Sequence, residues 1–362
     1  MRWLSLLAAV ALAACGQAAA PASAPSQGGW EQTLAAAKQE GKVSLITPPG
    51  DGTRAALTEG FEKTYGISVD TVSASGSQAV TRVMGERDAG KFLWDVYVNG
   101  VTEVLTTFIP AHAVDPIEPV LMLPEVTDPK SWRDGGIEYV DKDHMLVATT
   151  RTVYPTVWLN PKLAKPEQLK SFKDFLDPAW KVKLVIDDPR KPGPGQALLT
   201  EWYLTPDLGP DFIREFAKQQ PLILTDYAQE ANMVGQGQYA ALLGGSDQTL
   251  DQLIKKGVPI VVVPPRQLKE PPQVAAGATA MAMFNRAPHP NAAKLYVNWL
   301  LSKDGQAGFA RSQAAVSNRL DVPTDYLDAW RVPSAGAIKT YGPDALAVRD
   351  KVIALAKELF PQ

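Results

Sequence analysis

The feature that most constrains the fold of this chain is an alternation of short apolar strands with longer helical segments near the N-terminal end. Residues 42–47, 67–72 and 94–98 have the length and pattern of strands. Between them, residues 54–65 and 78–89 have apolar side chains at helical spacing. A strand–helix–strand–helix–strand order favours parallel strands joined by crossover helices. The sequence therefore predicts an α/β fold.

A second unit with the same rhythm begins near residue 148. Its predicted strands are residues 152–159, 182–186, 239–243 and 260–263, and its predicted helices are residues 210–219, 230–235, 248–256 and one that begins near Gln196. The chain has 362 residues, of which 45% are hydrophobic, so it can bury the cores of two domains.

The charge of the chain argues against nucleic acid as a partner. The chain has 36 Lys and Arg residues against 39 Asp and Glu residues, which gives a net charge of −3. These residues are spread along the sequence, without the basic stripe that binding to phosphates requires.

The N-terminal segment has the pattern of a secretion signal. Arg2 supplies a positive charge, and the apolar run 3–14 that follows is too short to cross a bilayer core of about 30 Å. The run ends in Leu-Ala-Ala directly before Cys15, the single cysteine, and this resembles the lipobox of bacterial lipoproteins. We therefore expect a signal peptide over residues 1–14, lipidation at Cys15, and a flexible Ala/Pro/Ser/Gly tether over residues 15–29. No internal disulfide is available to the mature chain.

Small polar residues follow the predicted strands of both units, where α/β sheets bind their ligands. Three positions, Thr53, Ser77 and the pair 195–196, stand at predicted helix starts, where free N–H groups favour anions. Arg190 could bind an anion through two parallel hydrogen bonds from its guanidinium, and Trp158 could form a wall of the site. The predicted ligand-binding residues are Thr53, Ser75, Gly76, Ser77, Asn99, Trp158, Asp188, Arg190, Gly195, Gln196, Ser246 and Asp247.

Several segments resemble one family, the extracellular solute-binding proteins of bacterial ABC importers, and within it the group that binds ferric iron, thiamine and aminophosphonates. The resemblance extends from Trp30 to Val322, and residues 287–294 with the Trp-Leu-Leu-Ser that follows at 299–302 are its most specific part. The other matching segments are residues 36–43, 171–190, 235–242, 305–306 and 317–322.

This resemblance implies a two-lobed periplasmic-binding fold of the second topological type, with hinge crossovers and C-terminal helices. Lobe one is expected over residues 30–150 and again over 265–362, with lobe two over residues 151–264. The implied function is capture of a small polar or anionic solute by hinge closure and its delivery to an ABC permease in the inner membrane. We expect a monomer at the periplasmic face, anchored to lipid through Cys15, without a cofactor.

The ferric-iron members of the resembled group suggest a first alternative, binding of a metal ion. Their adjacent tyrosines would fall after the strand 239–243, where this chain has Gly-Gly-Ser-Asp-Gln, and the loop 47–52 lacks their histidine. A site for a hard cation or an ammonium group could still form from Asp51, Asp188 and Asp247. We rank it below an organic solute, and we assign no metal ligand.

Two further alternatives are an enzyme and a sensor. The three histidines, His112, His144 and His289, are far apart in sequence, and no nucleophile elbow, phosphate-binding glycine loop or zinc spacing is present. Catalysis by scattered carboxylates would leave no sequence signature, although we predict no catalytic residue. A sensing subunit would bind its solute in the same way and signal through a receptor.

Overall fold

The computed structural model describes residues 27–275, 280–333 and 336–361. The predicted signal peptide, Cys15 and the tether as far as residue 26 lie outside the described residues, so those hypotheses stay predictions. Within the described ranges, no helix is both long and apolar enough to cross a bilayer.

The strands are short and the helices longer, as the alternation predicts. The strands are β1 (Lys42–Thr47), β2 (Ser68–Ser73), β3 (Val96–Asn99), β4 (Val114–Asp115), β5 (Val147–Ala148), β6 (Thr150–Val153), β7 (Val157–Leu159), β8 (Leu184–Asp187), β9 (Leu222–Leu224), β10 (Ala241–Leu243), β11 (Val261–Val262), β12 (Gln273–Ala275), β13 (Ala280–Phe284), β14 (Val316–Ser317) and β15 (Ile338–Lys339). The α-helices are α1 (Gln27–Glu40), α2 (Asp51–Tyr65), α3 (Gly76–Asp88), α4 (Val101–Glu103), α5 (Pro124–Thr127), α6 (Pro194–Leu204), α7 (Gly209–Ala217), α8 (Tyr227–Gly235), α9 (Asp247–Lys255), α10 (Pro290–Leu301), α11 (Lys303–Ser312) and α12 (Pro343–Leu359). A π-helical turn, Val104–Phe108, continues α4, and the 3-10 turns are Glu118–Val120, Pro129–Ser131, Arg133–Gly135, Pro166–Gln168, Phe172–Leu176, Pro178–Trp180, Pro265–Gln267 and Ala329–Arg331.

Two sheets with matching strand orders form the centres of two lobes. In lobe one the order is β2-β1-β3-β13-β4, with β5 also paired to β13. In lobe two the order is β9-β8-β10-β7-β11. In each sheet three parallel strands are followed by an antiparallel one, β13 or β7, and then by a short edge strand. The predicted α/β architecture of two lobes is confirmed.

Both faces of each sheet are covered, which explains why the strands are apolar almost throughout. In β8, Leu184 and Ile186 face one core of lobe two, and Val185 faces the other. In β1, Leu45 and Ile46 are likewise divided between the two cores of lobe one. Neighbouring side chains on a strand point to opposite faces, so each strand contributes to both cores.

A small third sheet forms the hinge, in the order β14-β6-β12-β15. The chain leaves lobe one along β6 and returns along β12, and these strands pair antiparallel through Val153 and Val274. Arg151 of β6 is nearly buried and donates to the equally buried Glu138 over 3.0 Å. Tyr341, just after β15, donates to the same carboxylate over 2.6 Å. The hinge strands are thereby tied to lobe one.

The last helix requires a correction to the predicted domain assignment, which placed residues 265–362 with lobe one. Helices α10 and α11 do pack on lobe one, against α1 and α2. Helix α12 instead packs against α6 and α7, with Val352 and Leu355 in the core of lobe two. The chain therefore crosses between the lobes a third time, after β15. The sequence shows that α12 has an apolar face but not which lobe that face covers.

Several predicted helix starts are also corrected. Helix α2 begins at Asp51 after Gly50, so Thr53 lies in its first turn rather than at its N-cap. The N-cap of α3 is Ser75 rather than Ser77, and the Gln78 side chain accepts from the Ser75 N–H over 3.0 Å. Helix α6 begins at Pro194, before Gln196. Helix α1 begins at Gln27, inside the range predicted as tether. In each case the first turn extends two or three residues beyond the predicted boundary.

Candidate functional site

Two cavities lie at the hinge between the lobes. The first, here the hinge cavity, has a volume of about 340 Å³. Its walls are the segments that join the lobes and the loops that follow β8 and β10. They comprise Tyr154, Pro155, Thr156, Gly193, Pro194, Ala197, Gly244, Gly245, Ser246, Asp247, Gln248, Gln273, Ala275 and Thr340.

The second, here the cleft cavity, has a volume of about 550 Å³ and opens between the lobes. Lobe one contributes the start of α2 and the end of α11, lobe two contributes α9, and residues 326–331 close one side. Its walls are Thr53, Thr152, Tyr154, Asp247, Gln248, Asp251, Ser312, Gln313, Ala314, Tyr326, Leu327, Asp328 and Arg331. The two cavities share Tyr154, Asp247 and Gln248. A solute held there would contact both lobes and the hinge.

Glycines allow the lobe-two loops of the hinge cavity to approach each other closely. Gly244 has φ +66°, and a Cβ there would lie 2.9 Å from the Cα of Gly195. A Cβ on Gly195 would in turn overlap the backbone carbonyl of Asp187. Only glycine fits at both positions, because one needs a left-handed backbone and both lack room for a side chain. These contacts fix the loop after β10 against the start of α6.

Asp247 and Arg331 form the central ion pair of the site. The two guanidinium nitrogens of Arg331 lie 2.8 and 3.1 Å from the two carboxylate oxygens of Asp247, and both side chains are 18% exposed. Burial alone would lower the pKa of Arg331, but Asp247, Asp328 and Asp251 outweigh it and raise that pKa. The guanidinium also lies 4.4 Å from the ring centroid of Trp330. The pair joins helix α9 of lobe two to the 3-10 turn Ala329–Arg331.

Gln273 places a polar side chain in the wall of the hinge cavity. The residue is 5% exposed, and it lies on the hinge strand β12. A side-chain amide has both donors and an acceptor, so Gln273 could form hydrogen bonds to a polar ligand in the hinge cavity.

Several residues predicted from the sequence do line this region. Ser246 and Asp247 belong to the hinge cavity, and Thr53 belongs to the cleft cavity, where it accepts from Gln313 Nε2 over 2.7 Å. Gln196 lies in a third cavity of about 340 Å³, between α4, α6 and the start of α12. Gly195 supports the hinge cavity from behind, as described above.

The other predicted ligand residues lie elsewhere. Ser75, Gly76 and Ser77 are at the start of α3 and outside the walls of all three cavities. Asn99 is buried and donates to the carbonyl of Ala74 over 2.9 Å, which joins the end of β3 to the loop after β2. Trp158 is 1% exposed and packs in a core of lobe two. These positions belong to strands and caps that shape the lobes.

Asp188 and Arg190 form an ion pair with each other and reach the C-terminal helix instead of the cavities. The guanidinium of Arg190 donates to Asp188 over 2.8 and 3.1 Å and to the carbonyl of Phe360 over 3.1 Å. Burial alone would raise the pKa of Asp188, but the hydrogen bonds from Arg190 outweigh burial and lower that pKa. Both residues tie the loop after β8 to the end of α12, and they are left out of the ligand site proposed below.

Sequence reasoning missed five residues of the cavity walls: Tyr154 and Gln273 at the hinge, Gln248 on α9, Gln313 at the end of α11, and Arg331. The predicted lobe boundaries, between residues 150 and 151 and between residues 264 and 265, were the one available signal, because residues near a crossover lie between the lobes. Arg331 carried no such signal.

The three carboxylates of the metal alternative do not come together. Asp51 is fully exposed and lies 3.5 Å from Arg54, while Asp188 and Asp247 each pair with their own arginine. Among the described residues, no group of three or more His, Cys, Asp and Glu is placed to hold a metal ion. The arrangement therefore offers no shared site for a hard cation.

A buried pair of carboxyl groups lies behind the glycines of the hinge cavity, and it makes stability depend on pH. Asp187 accepts from the N–H of Gly195 over 2.8 Å, and both Asp187 and Glu230 are almost fully buried. Burial, and then the negative charge of Asp187, raise the pKa of Glu230 to about 8. Glu230 thus holds a proton at neutral pH.

We therefore expect the Glu230→Gln variant to unfold with less pH dependence than the wild type. The folded pKa of Glu230 lies above its unfolded value of about 4.3, so the stability from this proton is complete below pH 4 and is lost as pH rises towards 8. Between pH 5 and 8.5 the free energy of unfolding of the variant should fall by about 4 kcal/mol less than that of the wild type, which corresponds to roughly 8–16 °C in Tm. Thermal unfolding at several pH values measures this. The exposed variant Glu215→Gln is the control, and equal slopes for wild type and Glu230→Gln would contradict the prediction.

Comparison with known proteins agrees with this architecture. Residues 44–307 match the family model for bacterial extracellular solute-binding proteins. No curated protein sequence matches the chain. Solved structures do match it, and all of those cited below share less than 25% sequence identity with it, which is evidence of a common fold.

Three of these structures are similar to this chain over nearly the whole of their own length. Ferric iron-binding protein A of Mannheimia haemolytica, in an open conformation, has 13% identity and a TM-score of 0.66 over 88% of this chain and 98% of its own. The periplasmic binding protein AfuA of Actinobacillus pleuropneumoniae, with fructose 6-phosphate bound, has 14% identity and a TM-score of 0.53 over 88% and 97%. An ABC transporter structure from Clostridium perfringens has 13% identity and a TM-score of 0.67 over 88% and 99%.

Proposed function

This protein belongs to the bacterial extracellular solute-binding proteins, since the family model covers well over half of the chain, and from that membership we propose that it captures a small polar solute between its two lobes. Proteins of this family bind solutes and are not enzymes, so no reaction is assigned to the site. The solute would bind in the hinge and cleft cavities, and the lobes would close over it about the strands β6 and β12.

The observation that carries this proposal is that the hinge and cleft cavities share three wall residues and draw on both lobes. Thr53 and Gln313 come from lobe one, and Asp247 and Gln248 come from lobe two. Tyr154 stands between them on the first crossover. A ligand that contacts all of these groups stabilises the closed arrangement, because the open one offers only part of the contacts.

Small-angle X-ray scattering with a thermal-shift screen of polar solutes tests the proposal. The full chain with Cys15→Ser is used, so that lipid does not interfere. A bound solute should raise Tm by mass action and reduce the radius of gyration. If solutes raise Tm but leave the radius of gyration unchanged, closure of the lobes is excluded. If no solute of any charge class raises Tm or reduces the radius of gyration, solute capture is excluded.

We further propose that the closed protein delivers its solute to an ABC permease in the inner membrane, as a monomer anchored to lipid through Cys15. Support for the anchor comes from the apolar run and the Leu-Ala-Ala that precede the single cysteine. Metabolic labelling with a fatty-acid analogue tests it. Label should enter the wild-type chain and be absent from the Cys15→Ser chain, and equal labelling of both would exclude lipidation at this residue.

A further inference from the structure

We propose that the solute carries a cationic group, an ammonium or a guanidinium, which binds Asp247 in place of Arg331. This inference rests on the proposed function and names the class of solute for the same site. It replaces the anionic solute that the predicted helix starts suggested.

Three helix N-termini of this region, those of α3, α6 and α9, are already occupied by carboxylates of the chain itself. At α3, the carboxylate of Glu103 packs against Gly76 and Gly100 so closely that a Cβ on either glycine would overlap it. At α6, Asp187 accepts from the N–H of Gly195. At α9, Asp247 is the first helical residue. An anionic ligand would therefore meet negative charge where a free helix dipole would otherwise attract it.

The charges that line the two cavities favour a cation. Among the wall residues that the structure describes there are three carboxylates, Asp247, Asp251 and Asp328, and one Lys or Arg residue, Arg331. Asp247 alone of these belongs to both cavities. A positive group brought there gains Coulomb energy that an anion would lose, and partial burial strengthens the effect.

Arg331 shows how such a cation would be held. Its guanidinium binds both oxygens of Asp247 and lies over the ring of Trp330, which is the arrangement that carboxylates and aromatic rings offer to cationic ligands. The segment that carries it is held to lobe one through Tyr326, whose hydroxyl donates to the carbonyl of Ala315 over 2.6 Å. Arg331 thus competes with the cationic group of the solute for Asp247, which lies on lobe two.

Gln273 and Tyr154 offer such a solute further contacts. The side-chain amide of Gln273, a residue that is 5% exposed, belongs to the wall of the hinge cavity. Tyr154 lines both cavities, as Asp247 does, and burial followed by the charge of Asp247 raises the pKa of Tyr154. Its ring face can contribute a further attraction for a cation.

The test compares probes of three charge classes on the full chain with Cys15→Ser. The cations are agmatine, L-arginine, putrescine and choline; the anions are glutarate, citrate, phosphate and fructose 6-phosphate; the neutral probes are glucose, glycerol and butylurea. Binding is measured by thermal shift and by calorimetric titration, in Asp247→Asn, in Arg331→Gln, and in the matched control Asp325→Asn. Asp325 is exposed, pairs with Arg311 and lies outside both cavity walls.

We expect at least one cationic probe to bind, to weaken tenfold or more in Asp247→Asn, and to bind several-fold more tightly in Arg331→Gln, because the competitor is gone. Asp325→Asn should leave the Kd unchanged. Binding of an anionic probe that is lost in Arg331→Gln, or binding of neutral or anionic probes alone, would overturn the cationic assignment and leave solute capture intact. If no probe of any class raises Tm or compacts the protein, the proposed function falls and this inference falls with it.

Discussion

Replacing Arg319 with methionine should lower the free energy of unfolding by about 3–5 kcal/mol, because it removes a buried guanidinium and leaves the backbone carbonyls that it binds without a donor. The side chain of Arg319 is 1% exposed. Its guanidinium donates to both oxygens of Asp321 over 2.8 and 2.9 Å, and to the carbonyls of Glu125 and Leu301 over 3.0 and 3.1 Å. Methionine fills much of the same space but leaves these acceptors without donors.

The loss should be seen as a fall in Tm of roughly 6–15 °C in a thermal unfolding experiment. Arg319→Lys is the matched control: it keeps the charge but not the planar fork, so it should lie between the wild type and the methionine variant. Hydrogen bonds from Arg319 lower the pKa of Asp321, so the stability from this pair is present at neutral pH and is lost as pH falls. A methionine variant that unfolds within about 2 °C of the wild type would show that the cluster contributes little.

The sequence predicted the parts of the fold that depend on local pattern. The first strand was placed at residues 42–47, as observed, and the next two within one or two residues of their true bounds. Ser246 and Asp247 were predicted to lie at a ligand site because they follow a buried strand, and they do line the hinge cavity, since the carboxyl ends of parallel strands meet at one edge. Such reasoning works where neighbours in sequence are also neighbours in space.

The same reasoning failed where a residue's role depends on distant partners. Arg190 was predicted to face a ligand, but the carbonyl of Phe360, 170 residues away, is one of its acceptors. Trp158 was predicted to form a wall of the site, but the face of β7 on which it lies is covered by α8 and α9. Gln273 and Arg331 were missed because their positions follow from the path of the chain through the hinge, which alternation and spacing do not reveal.

A larger side chain at Ala197, in the wall of the hinge cavity, should abolish solute binding. Ala197 lies on α6 and lines both the hinge cavity and the third cavity. It is half-buried, and its backbone N–H donates to the carbonyl of Gly193 over 3.0 Å, a bond that does not depend on the side chain. A phenylalanine there can project into the cavities without displacing core residues, so the fold should be retained.

We expect Ala197→Phe to weaken solute binding more than a hundredfold, or about 2.7 kcal/mol, because the ring occupies space that the solute and the closing lobe both require. Calorimetric titration with the first solute that raises the Tm of the wild type measures the change, and the radius of gyration at saturating solute reports whether the lobes still close. Ala197→Ser adds one hydroxyl and should bind within a few-fold of the wild type. Equal affinity in Ala197→Phe, at an unchanged Tm, would place the solute outside the hinge cavity, since no bound molecule could share that volume with the ring.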